Sequence, residues 1–118
     1  MKARITTALA FAVAATMTAC TAQADPTPAR QATVKIIETE CRQVGYIVGM
    51  AVTDFQDGIP LATVLENRPD VSIERGNQVA REWIRDIYAK PDVSDGLDPI
   101  FAGASAASEC MREFMLVI

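Results

Sequence analysis

Val44-Gly45-Tyr46-Ile47-Val48-Gly49-Met50-Ala51-Val52 is the stretch whose reading decides the fold. It is too short to span a bilayer and too apolar to lie along a wet surface. Extended in both directions it keeps a helical register. Val34, Ile37, Cys41, Val44, Val48, Val52 and Phe55 recur at steps of three and four, which places them on one stripe of a helix. Lys35, Glu38, Arg42, Thr53 and Gln56 fall on the opposite side. In the middle turns Ile47, Met50 and Ala51 widen the apolar face. The β-branched residues would also suit an alternating strand, but the three-and-four spacing runs through the whole of 33–56 and selects the helix. Gly45 and Gly49 cost helix stability, about 1 kcal/mol each relative to alanine, so they point to a neighbour pressed against the backbone.

Downstream, Asp57-Gly58 closes the helix, with Gly58 able to supply a left-handed residue. Ile59-Pro60 opens a short second helix over 60–66, whose Leu61, Val64 and Leu65 can fold back onto the first. Pro69-Asp70 breaks the chain again, and Ser72 is the expected N-cap of a third helix ending at Ala89, with Glu74 near its positive end. Ile73, Gly76, Ala80, Trp83, Ile84 and Ile87 form its buried stripe, and Arg75, Gln78, Arg81, Glu82 and Arg85 its wet face. Residues 91–96 read as a loop. Asp98-Pro99 then opens a last helix as cap and first-turn proline. Its expected apolar face is Ile100, Ala104, Ala107, Met111 and Phe114, with Cys110 at the edge and Ser105, Glu109, Arg112 and Glu113 outside. The fold class is therefore all-α, a small bundle of three main helices plus one short one.

The N-terminus reads as a cleaved export signal. Lys2 and Arg4 carry its charge, 5–17 is apolar, and Ala22-Gln23-Ala24 is the small-x-small pattern that signal peptidase accepts. The expected organisation is a signal over 1–24, a disordered leader over 25–32 containing Pro26 and Pro28, and a helical domain over 33–118. An alternative takes Met17-Thr18-Ala19-Cys20 as a lipoprotein box, with Cys20 lipidated. Either route removes Cys20 from the thiol count and leaves Cys41 and Cys110, which pair by default in an oxidising compartment. The product is expected to be periplasmic or secreted, without a transmembrane span.

Cleavage also removes Lys2 and Arg4, leaving nine basic against fifteen acidic residues. The charges are interspersed, and a chain of net charge −6 with no basic cluster is not built for nucleic acid or an anionic membrane face. There is no histidine, which removes Ser-His and Cys-His nucleophiles and the commonest metal ligand. Carboxylate pairs remain, Asp54 with Asp57 and Glu38 with Glu40, but neither has a glycine-rich or aromatic binding context and solvated surface charge explains both. Asp92, Asp95 and Asp98 recur every third residue, which misses the alternate-residue order of an EF-hand loop and lacks its closing glutamate. Asp95-Gly96 reads as a turn and Asp98 as a cap. No catalytic, metal-binding or cofactor-binding residues are assigned.

Large aromatics dominate interface hot spots. Tyr46 lies off the main stripe of its helix and Tyr88 at the rim of its own, which makes them the candidates for partner contact, whereas Trp83 falls in the core stripe. The apolar tail 116–118 can pack beneath the bundle or form a contact strip. The expected function is a non-enzymatic binding module of the cell envelope, its partner another envelope protein. An alternative is an acid-stress periplasmic chaperone, whose carboxylates lose charge as the pH falls and let the bundle expose its apolar middle. In outline the architecture resembles that of acid-activated periplasmic holdases, with no shared motif.

Overall fold

A computed structural model describes residues 27–116. The expected signal over 1–24, Cys20, the first two residues of the leader, and Val117 and Ile118 of the tail lie outside the described residues. The described residues from Val34 onward form one compact unit, and no strand occurs among the described residues.

Helix α1 is Pro28–Gln56, α2 Leu61–Asn67, α3 Glu74–Ala89, α4 the single turn Pro91–Ser94, and α5 Pro99–Met115. The apolar stretch is the helical centre of α1, as its spacing requires, with Cys41, Val44, Val48, Ala51 and Val52 fully enclosed. The helix starts at Pro28 instead of Thr33, so 28–32 are helical where a leader was expected. Proline suits that position because a first-turn N–H has no intrahelical partner. Gly58 then takes φ +80° and ends α1, the left-handed residue that Asp57-Gly58 foreshadows.

Three further differences have local causes. The loop expected over 91–96 begins with a helical turn, α4, which Pro91 opens and the Ser94 hydroxyl secures by donating to the Ile87 carbonyl. The cap expected from Ser72 is absent. Ile73 occupies the cap position without a side-chain bond, and the buried Asn77 amide instead accepts from Val71 N at 2.8 Å and donates to Val71 O at 3.1 Å. Pro60 flanks α2 as its cap rather than opening it.

The largest correction concerns α5. Its fully buried residues are Ala102, Gly103, Ala106 and Cys110; of the expected face, Met111 and Phe114 do pack against the core, but Ile100 and Ala104 are exposed. Small side chains let the two backbones meet. A Cβ placed on Gly45 would lie 2.6 Å from the Gly103 carbonyl oxygen, and one on Gly103 would lie 2.5 Å from that of Gly45. One turn further along, a Cβ on Gly49 would stand 3.0 Å from Pro99 O. Both glycines of α1 thus face a neighbouring backbone, as their cost implied. The Cys41–Cys110 disulfide joins the same two helices, with Cα atoms 5.5 Å apart. Opening α5, Asp98 accepts from Ile100 N at 2.9 Å as a true cap.

Candidate functional site

Presenting small residues inward at its start leaves Ile100 and Phe101 of α5 outside. Ile100 is 82% exposed, and on the same flank of α1 Tyr46 is 70% and Met50 46% exposed. Between these side chains runs a groove of about 470 Å³, open to solvent. Gly45, Gly49 and Gly103 line it at the crossing of the two helices, with Tyr46, Met50 and Ile100 as its bulky members. Arg42 is its charged residue and Thr53 its polar one. Large side chains beside a strip bare of side chains make a concave apolar surface, the shape into which a helix ridge packs.

Tyr46 lies off the buried stripe, exposed, and lines this groove. Tyr88 is used differently. Its hydroxyl donates to the Ile59 carbonyl, and its ring meets Phe55 edge-on with centroids 5.1 Å apart. Burial first, and then the charge of Asp54, push its phenol above the usual value, so it remains a neutral donor holding α3 to the α1–α2 turn. Met50, read as core, contributes to the groove instead. Ile100 was assigned to a buried face. The small residues between Ala102 and Ala107, whose composition permits close approach to α1, take the contact instead and leave Ile100 outside.

The remaining candidates separate. Asp54 lines a second recess of about 260 Å³ together with Asn67, Arg68 and Thr63, but Asp57 does not, so the two carboxylates do not form an acid–base pair in one cavity. Glu40 accepts from Ser72 N at 2.9 Å. Asp98 is occupied as a helix cap, and among the described residues no three Asp, Glu or Cys side chains are grouped to hold a metal ion. Trp83 is half-buried and donates its indole N–H to Glu109, a residue expected on the wet side of α5. Beside it Arg75 grips Glu113 at 2.7 and 3.1 Å. No helix among the described residues is long and apolar enough to cross a membrane.

Fold and groove together define a small all-helical domain, joined by a disulfide, with an apolar groove beside the α1–α5 crossing. No family model, curated protein or solved structure matches the chain.

Proposed function

We propose that this is a non-enzymatic interaction module of the cell envelope that binds another protein through the α1–α5 groove. The observation that carries the reading is the exposure of Tyr46, Met50 and Ile100 around one concavity. Clustered large apolar side chains at the surface are costly to leave in water and are retained where a partner covers them. The export pattern over 1–24 and a disulfide, a bond that persists in oxidising compartments, support a periplasmic or secreted location. Lipidation at Cys20 would add an anchor without changing the groove.

A photo-crosslinking residue at Met50 is expected to give discrete adducts with envelope proteins, and the same residue at Arg85 on α3 none. Adducts that disappear when Ile100→Asp is added would tie them to the groove. Equal labelling from both positions, or none from Met50, would overturn the proposal.

A second reading, the acid-stress chaperone, is favoured by where the carboxylates act. Glu113 on Arg75, Glu109 on Trp83 and Glu40 on the Ser72 N–H each link separate elements of the bundle. Suppression of client aggregation in acid but not at neutral pH is the expected result. No suppression at either pH ends this alternative.

A further inference from the structure

We infer that the partner in the groove is a second copy of this chain, with the two α1 helices antiparallel about a two-fold axis passing between Gly49 and Met50. The inference rests on the reading of the groove as an interaction surface and adds the identity of what covers it.

A two-fold interface uses one patch twice, so the patch must be complementary to itself. For antiparallel helices this is a condition on residue numbers. Residues equally distant from the axis on either side face one another. With the axis between Gly49 and Met50, Arg42 comes level with the other copy's Asp57, and Tyr46 level with its Thr53.

Arg42, Tyr46, Thr53 and Asp57 lie four, eleven and fifteen residues along from the first, which places them on one strip of a helix. Asp57 belongs to that spiral because its N–H still bonds to Thr53 O at 2.9 Å. At 1.5 Å per residue, Arg42 and Asp57 each stand about 11 Å from the axis, on opposite sides.

Both charges are available. Arg42 and Asp57 are exposed, and neither joins an ion pair among the described residues. Pairing would bring them together twice, once at each end. The centre is apolar. Met50 lies next to the axis, and Ile100 is at the same level because Gly49 abuts Pro99. An apolar centre with an opposite-charge pair at each rim is the usual anatomy of a specific interface. A different partner would impose no such symmetry on this chain, which is why the second copy is favoured.

The test is sedimentation equilibrium of the oxidised protein over a concentration series from micromolar to millimolar. The wild type is expected to show a reversible monomer–dimer equilibrium in that range. Arg42→Asp and Asp57→Arg are each expected to weaken it about tenfold, because each replaces two attractions with two repulsions. The double reversal Arg42→Asp/Asp57→Arg is expected to restore the wild-type constant to within about threefold, since it rebuilds both pairs. Met50→Asp is expected to be monomeric, with its thermal melt showing the helical fold intact.

A wild type that is monomeric throughout, a dimer indifferent to the single reversals, or a double reversal no better than the singles would overturn the inference. A monomer that still gave groove-dependent adducts from Met50 would refute the self-pairing and leave the interaction reading standing, so the two fail separately.

Discussion

Gly103 shows how far one methyl group can matter. Its missing Cβ is the space occupied by the Gly45 carbonyl, and backbone on both sides cannot rotate away as a side chain could. Gly103→Ala is therefore expected to destabilise the fold by about 1–3 kcal/mol through forced separation of α1 and α5. Gly96→Ala, where an added Cβ meets nothing within 4 Å, serves as the neutral control. Urea denaturation of the two variants tests the contrast, and equal stabilities would mean that the helices do not meet at this point. Arg68 is a different case. Its side chain is only 9% exposed, and its Nε is buried with no hydrogen-bond partner among the described residues. Among the described residues its ion-pair partner is Asp70, which is solvated and would not be stranded by the loss. Arg68→Met is thus expected to be neutral or to stabilise by about 1 kcal/mol, and a large loss in the same denaturation assay would show that the orphaned donor has a role in the fold.

At the scale of elements, side-chain bonds do work that regular capping does not. The entry to α3 has an apolar residue at its cap, and the Asn77 amide closes it by holding both polar groups of Val71. Glu74 in the first turn accepts from Arg81 at 2.8 Å and from Asn77 at 3.2 Å. Those bonds, Arg81 foremost and then Asn77, hold its carboxyl below the ordinary value of 4.5. A group depressed in the folded state contributes stability above its unfolded pKa, and that contribution disappears as the pH falls through the folded value. The stability of the wild type should therefore decline below about pH 4.5 more steeply than that of Glu74→Gln, and the two curves should converge in acid. Parallel curves would show that the bond does not depend on the charge. The α1 terminus is fastened in a similar way, with the Gln56 amide donating to the Ser94 and Leu97 carbonyls at 3.1 and 2.9 Å. A residue that faces water by periodicity thus holds the α4–α5 loop.

For the whole molecule, the controlling fact is that α1 and α5 are joined across 69 residues. A crosslink over a loop of that length restricts the unfolded chain by about 4 kcal/mol in the chain-entropy account, a large share of what a domain this size retains. Cys41→Ala/Cys110→Ala is expected to lose a comparable amount, and a melting temperature within a few degrees of the wild type's would refute that share. Because both cysteines are enclosed in the core, reduction of the wild type should be slow in the native state and fast in urea. Following thiol release with time would establish this.

The sequence by itself determined that the described residues are helical, that the chain turns at Gly58 and breaks again before Asp70 and Pro91, and which two cysteines bind the helices. Periodicity, proline and Gly58 act within a few residues of one another, so they are legible without a fold. It also marked Gly45 and Gly49 as sites of close approach, because a glycine inside a helix needs a reason. Only the tertiary structure decided which way α5 turns, and with it that Ile100 and Met50 stand in water and that Tyr88 is spoken for. A hydrophobic stripe ranks large side chains above small ones, whereas two backbones in contact reward the reverse. That preference arises between residues 45 and 103, a pairing that exists only once the chain has folded.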